Sequence, residues 1–190
     1  MKNKHPSYTH LPPYLRIALM CLFIGLLSAC DGNTDLMKHT LEGDIIAVQA
    51  ELAKGTPVDQ RNKYGWTALM HAARQDQTAT LSVLLDAGAD INAQDNDGWT
   101  ALMRAASKGQ EAATQLLLQH KVNTELTDHN GWTALMWATR GGHLDIVKIL
   151  IAGGVDVNVK AKDGRTAIVI ARNEDFKDIL DELKKAGAKQ

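Results

Sequence analysis

The sequence of 190 residues contains only two cysteines, Cys21 and Cys30. Cys21 lies in an N-terminal segment that we predict to be removed, which leaves Cys30 as the one cysteine of the mature chain. One thiol cannot form a disulfide within its own chain, so the domain must be held together by packing. This excludes the small secreted proteins whose folds depend on disulfides.

The sequence also lacks an excess of basic residues. It has 21 Lys and Arg against 22 Asp and Glu, and the N-terminal leader holds three of the basic residues and none of the acidic ones. The mature chain therefore has a net charge of −4. Nucleic-acid binding normally requires a basic stripe, so nucleic acid is not an expected partner.

Sequence motifs for catalysis are missing as well. The chain has no zinc-binding helix motif, phosphate-binding glycine loop, nucleophile elbow or paired carboxylates at useful spacing. The histidines are scattered and are expected to face solvent; they include His39, His71, His120, His129 and His143. We expect no enzyme activity, no cofactor and no metal.

The apolar run "IALMCLFIGLL" (Ile17 to Leu27) is too short to span a bilayer. As a helix it would rise about 16 Å, against a hydrocarbon core of about 30 Å. It follows a basic leader, which is typical of an export signal. The alternative, a short buried helix, would normally show a polar face, and this run is apolar all round.

The next residues, "LSAC" (Leu27 to Cys30), resemble the lipobox of bacterial lipoproteins. This resemblance implies cleavage before Cys30, a diacylglycerol on its thiol and a stable membrane anchor. It divides the N-terminus into a removed signal peptide, 1–29, and a lipidated cysteine with a short tether, 30–33. The alternative is ordinary secretory cleavage that leaves a free thiol. The expected location is the periplasm, and Asp31 resembles the inner-membrane retention signal of enteric lipoproteins.

Beyond the tether, one segment recurs at a fixed spacing. "GWTALM" begins at Gly65, Gly98 and Gly131, and "GRTAIV" begins at Gly164, each 33 residues after the previous copy. One step earlier, "GNTDLM" at Gly32 keeps four of the same letters. A period of this size indicates stacked repeats. The units are about 31–63, 64–96, 97–129, 130–162 and 163–190.

The second unit, "GWTALMHAARQDQTATLSVLLDAGADINAQDN", resembles the ankyrin repeat. The resemblance implies an all-α solenoid of helix-turn-helix units with short β-hairpin turns, so that 34–190 forms five ankyrin repeats. Threonine stands where it can cap the first helix of a unit, at Thr67, Thr100, Thr133 and Thr166. Gly88 and Gly154 fit the left-handed position that ends the second helix.

Two departures from the ankyrin pattern affect the prediction. Methionine replaces the usual histidine, at Met37, Met70, Met103 and Met136, and we interpret this row as core packing rather than as a metal site. Lys121 occupies a glycine position, where a left-handed lysine costs about 1 kcal/mol and indicates local strain or altered function.

In the resemblance, the residue after the turn glycine faces a concave groove. Trp66, Trp99 and Trp132 are therefore expected to form a ladder, which either contacts a partner or only packs on the scaffold. Further candidate contacts on the turn tips and first helices are Tyr64, Arg74, Arg104, Lys108, His129, Trp137 and Arg140. These positions vary between units while the frame stays constant, which is typical of a binding surface, although drift on a solvated face is the alternative.

The sequence therefore predicts a non-catalytic, monomeric protein-binding module that is lipid-anchored in the bacterial envelope. Bacterial relatives of this architecture include antagonists of toxins or lipases and partners of periplasmic enzymes such as catalase. We place an antagonist or immunity role first and an enzyme-support role second. A structural tether in an envelope complex is a third possibility.

Overall fold

The computed structural model describes residues 32–189, which form a stack of ten helices arranged as five antiparallel pairs. Within each pair the first helix follows a connecting turn and the second returns across it. The helices are α1 (Asp35–Glu42), α2 (Ile45–Ala53), α3 (Ala68–Arg74), α4 (Thr78–Asp86), α5 (Ala101–Lys108), α6 (Glu111–Gln119), α7 (Ala134–Arg140), α8 (Leu144–Ala152), α9 (Ala167–Asn173) and α10 (Lys177–Lys185). The prediction of an all-α repeat solenoid is confirmed.

A threonine begins most of the first helices. The hydroxyl of Thr67 accepts a hydrogen bond from the backbone N–H of Met70, and the same bond forms at Thr34, Thr100 and Thr133. The prediction is wrong at Thr166, whose side chain makes no capping hydrogen bond. There the N–H of Val169, which would bond the hydroxyl, donates instead to the carbonyl oxygen of Thr166 at 3.1 Å.

The methionine row lies in the core between successive first helices. Met37, Met70, Met103 and Met136 are each at most 1% exposed, which confirms that the row is core packing. Small alanines let these helices approach closely, and Ala72, Ala73, Ala105 and Ala106 are fully buried. One continuous apolar core therefore runs through the stack, as expected when no single unit can bury its own apolar face.

The turns between units bond to one another without forming strands, since no strand is present in residues 32–189. Each turn is closed by a backbone hydrogen bond, for example from Asp95 N–H to the carbonyl oxygen of Trp99 at 2.9 Å. One further bond joins it to the preceding turn, from Asn96 N–H to the carbonyl oxygen of Tyr64 at 3.0 Å. The predicted β-hairpins are thus hydrogen-bonded turns that are too short for a ladder.

Left-handed backbone occurs where the sequence predicts it. Gly88 and Gly154 have φ values of 86° and 81°, and Lys121 has a φ of 57°. Asp76 and Asp175 are also left-handed, which was not predicted. Asp76 lies in the turn between α3 and α4, and its carboxylate accepts the N–H of Ala113 in the next unit at 2.7 Å.

The predicted signal peptide, Cys30 and Asp31 lie outside the described residues. Within 32–189, no helix has the length and apolarity needed to cross a membrane.

Candidate functional site

The tryptophans that follow the turn glycines are positioned by a buried Asn or Asp four residues earlier. Asp95 Oδ1 accepts the backbone N–H of Trp99 at 2.9 Å, and Asp128 Oδ1 accepts that of Trp132 at 2.9 Å. Asn62 does the same for Trp66 at 3.0 Å. These acceptors are at most 8% exposed, so each turn and the backbone of its tryptophan are held rigidly.

The second oxygen of each carboxylate orients a side chain on the following first helix. Asp95 Oδ2 forms an ion pair with Arg104 on α5, and Asp128 Oδ2 accepts the indole N–H of Trp137 on α7 at 3.2 Å. Arg104 and Trp137 stand 33 residues apart, so they occupy the same position in successive units. One carboxylate therefore fixes both a turn and a side chain of the following helix.

Together these side chains form one continuous stack, which we call the aromatic row: Trp66, Arg104, Trp99, Trp137 and Trp132. The guanidinium carbon of Arg104 lies 3.8 Å from the ring centre of Trp66 and 4.3 Å from that of Trp99. Trp99 then lies 4.1 Å from Trp137, which lies 4.7 Å from Trp132. Arg104 and Trp137, which belong to first helices, thus lie between the tryptophans of the predicted ladder.

The members of the aromatic row differ in how deeply they are buried. Trp132 is only 4% exposed, which favours the scaffold interpretation at that position. Trp66, Trp99 and Trp137 are half-buried and each keeps some surface. The row therefore has a buried end at Trp132 and accessible ring surface along the rest of its length.

Arg104 is the one charged member of the aromatic row. Its side chain is 15% exposed, while that of Asp95 is fully buried. Burial lowers the pKa of the Arg104 guanidinium, and the hydrogen bond from Arg104 to Asp95 opposes that effect. Arginine stays protonated in proteins, so a full positive charge is held between two indole rings.

Exposed side chains surround the aromatic row. Arg74 lies 5.7 Å from the Trp66 ring and Arg140 lies 5.5 Å from the Trp132 ring. Tyr64 is 49% exposed at the tip of the preceding turn. Of the remaining predicted contacts, Lys108 and His129 are exposed but contact no ring of the row, Lys108 at the end of α5 and His129 at a turn tip.

Comparison with known proteins agrees with this architecture. Residues 26–128, 80–161 and 120–190 match a family model described as "Ankyrin repeats (3 copies)". The chain belongs to the ankyrin-repeat family. Ankyrin repeats are protein-binding modules and are generally non-catalytic, so the described solenoid is a scaffold for protein contacts.

Individual ankyrin relatives match over a shorter stretch. An "Ankyrin repeat, SAM and basic leucine zipper domain-containing protein 1" of Carollia perspicillata is 40% identical over 62 residues, and that of Dasypus novemcinctus is 39% identical over 62 residues. Each match covers 33% of this chain and 13% of the relative. The chain therefore spans only a small part of the length of these relatives.

Two histidines of the ankyrin stack are not placed as predicted. His143 is half-buried, and its ring Nε2 lies 3.1 Å from the carbonyl oxygen of Ser107 in the preceding unit. His71 is 6% exposed, and its ring lies 4.9 Å from that of Trp66. His71 occupies the same position in its unit as Arg104 and Trp137 do in theirs. Side chains at this position point towards the aromatic row, which is why the solvent-facing prediction is wrong for His71. Among residues 32–189, no group of three His, Cys, Asp or Glu side chains could hold a metal ion.

Sequence reasoning missed the carboxylates of the ankyrin turns. Asp95 and Asp128 were not among the predicted site residues, although each lies nine residues before the side chain that it orients. That recurrent spacing was the available signal. The meaning of this spacing becomes visible only in the folded unit, where the turn residue and the first helix meet.

Proposed function

We propose that this ankyrin solenoid is a monomeric binding protein, anchored in the bacterial envelope by lipid on Cys30, that grips a protein partner with the aromatic row and its rim. The observation that carries the proposal is the continuity of the row. Indole and guanidinium groups from three successive units stack at ring distances between 3.8 and 4.7 Å. Tryptophan and arginine are the residues most enriched among those whose loss weakens interfaces strongly.

Rigidity of the aromatic row supports this proposal. Association normally costs about 0.5–1.5 kcal/mol for each flexible side chain that must be ordered. In this chain Arg104 and Trp137 are already held by buried carboxylates. A partner would meet side chains that have little freedom left to lose, so the contact energy of the row would be available for binding.

The partner-binding test is affinity capture with the full, C-terminally tagged chain, cross-linked in cells that carry its gene natively. The variant Trp66→Ala with Trp99→Ala removes accessible rings, whereas Ile46→Ala removes an apolar side chain that is 80% exposed on α2. We expect the paired variant to lose the partner and Ile46→Ala to retain it, with circular dichroism unchanged in both. Retention of the partner at unchanged affinity by the paired variant would refute the role of the row.

An antagonist or immunity role remains the first candidate for what the binding does. It rests on the resemblance of Leu27 to Cys30 to a lipobox and on the antagonists among bacterial proteins of this architecture. Support of a periplasmic enzyme is the second candidate, and a structural tether is the third. The activity of the captured partner, with and without the chain, separates them: inhibition indicates antagonism, stimulation indicates support, and no change indicates a tether.

Lipid anchoring has its own test. A bacterial culture expressing the full chain is labelled with an alkyne fatty acid, with Cys30→Ser and Cys21→Ser as a matched pair of variants. We expect Cys30→Ser to lose the label and leave the membrane fraction, whereas Cys21→Ser keeps both. Equal labelling of both variants would exclude Cys30 as the lipid site.

A further inference from the structure

A cleft lies at the C-terminal end of the aromatic row, between the fourth and fifth units. It has a volume of about 360 Å³ and is lined by Asn130, Trp132, Trp137, Arg140, Asp163 and Arg165. The guanidinium carbons of Arg140 and Arg165 lie 5.5 and 5.0 Å from the ring centre of Trp132. Two positive groups therefore flank the same indole at the opening of one cleft.

The charges of this cleft are unbalanced. Arg165 donates from Nε to Asp163 Oδ2 at 2.7 Å, and this hydrogen bond holds the pKa of Asp163 below its usual value. Arg140 is exposed and pairs with no carboxylate of residues 32–189. Among the lining residues, one carboxylate thus faces two guanidinium groups, so the lining keeps a net positive charge, although the charge of Glu174 also acts on Arg165 from outside it.

The same imbalance extends along the aromatic row and contrasts with the chain as a whole. The mature chain carries a net charge of −4, yet four arginines lie within 6 Å of a ring of the row: Arg74, Arg104, Arg140 and Arg165. The exposed acidic residues are spread more widely: Asp86, Glu111, Asp145 and Asp178 lie on second helices, whereas Asp97 and Asp163 lie on turns beside the row. An acidic protein has therefore concentrated its arginines where the proposed function places a partner.

We propose that this cleft binds a carboxylate side chain from an acidic segment of the protein partner. The proposal rests on the proposed function and specifies the chemistry of the partner. The carboxylate would accept hydrogen bonds from Arg140 and Arg165, while the methylenes of the same side chain pack on the half-buried ring of Trp137. Guanidinium groups suit this role because they bind carboxylates with two parallel hydrogen bonds.

Asp163 has a positioning role in this arrangement. By holding Arg165 at 2.7 Å it sets the direction of that guanidinium, and it leaves Arg140 as the group with unused hydrogen-bonding capacity. A long polyanion such as a nucleic acid fits less well, because the mature chain is acidic overall and would repel an extended array of phosphates.

The test measures peptide binding to the full chain, purified in detergent, by fluorescence polarisation. The probes are short labelled peptides rich in Asp and Glu, their Asn and Gln counterparts, and a neutral peptide with a free C-terminal carboxylate. All the other peptides carry a C-terminal amide. An oligothymidylate is a further probe, which represents polyanions. The variants are Arg140→Gln, Arg165→Gln and the control Lys148→Gln, which changes an exposed lysine of α8 outside the cleft.

We expect only the acidic peptides to bind. Each cleft variant should weaken that binding about tenfold, since hydrogen bonds to charged groups are the strong ones. Lys148→Gln should leave the binding of the acidic peptides unchanged. Arg140→Lys should restore part of the loss, because it returns charge without the second parallel bond.

Four results would overturn the carboxylate proposal. They are equal binding of neutral and acidic peptides, no binding of any peptide at millimolar concentration, equal losses in Lys148→Gln and the cleft variants, or tighter binding of the terminal carboxylate or the oligothymidylate. These failures are distinguishable from failure of the proposed function. If only the carboxylate proposal fails, the natural partner would still be captured in cells, and its capture would still depend on Trp66 and Trp99.

Discussion

The buried carboxylate of Asp95 offers the sharpest test of how the aromatic row is built. In Asp95→Asn the amide oxygen can still accept the N–H groups of Asp97 and Trp99, both 2.9 Å from Oδ1 in the native chain. Asn62 already performs this task in the preceding unit. What the substitution removes is the ion pair with Arg104, whose side chain is only 15% exposed.

Removing one partner of a buried ion pair costs about 3–5 kcal/mol. Arg104 keeps two indole faces, at 3.8 and 4.3 Å, which continue to favour its charge. We therefore expect a loss near the lower limit, about 3 kcal/mol in the free energy of unfolding. The matched control is Asp128→Asn, whose lost partner is a neutral indole N–H at 3.2 Å and whose cost should be about 1 kcal/mol.

Urea unfolding measures both losses with two probes. All four tryptophans of the sequence, Trp66, Trp99, Trp132 and Trp137, belong to the aromatic row, so intrinsic fluorescence reports on the row and circular dichroism reports on the helices. Coincident transitions would justify a single free energy of unfolding. If Asp95→Asn costs no more than Asp128→Asn, the ion pair contributes nothing beyond a neutral hydrogen bond and the reasoning is refuted.

Three further predictions concern stability and use the same unfolding measurement. Thr133→Ala should cost about 1 kcal/mol and Thr166→Ala much less, because only Thr133 caps its helix; equal losses would contradict this. Lys121→Gly should stabilise the chain by about 1 kcal/mol, since it relieves a left-handed lysine, and any net destabilisation would argue against strain there. Gly65→Ala should cost more than Gly164→Ala, because both glycines have positive φ but only at Gly65 would a Cβ clash, 2.7 Å from the backbone nitrogen of Asn96; the reverse order would contradict this.

Much of the fold was predictable because it depends on local and periodic features. The spacing of 33 residues defined the five units, and the threonines before the first helices defined where most of those helices begin. The glycines at 88 and 154 marked the left-handed ends of second helices, as their φ values confirm. These features act within a few residues of the chain, so the sequence alone is enough to read them.

The composition of the aromatic row depended on contacts between units. The sequence indicated Trp66, Trp99 and Trp132 as a ladder, but the packing of α5 and α7 placed Arg104 and Trp137 between the rungs. The burial of Trp132 and His71 was likewise decided by neighbouring units. Periodicity determined which residues stand in equivalent positions, whereas only the assembled stack determined which of them touch, because side chains from successive units fill the same space.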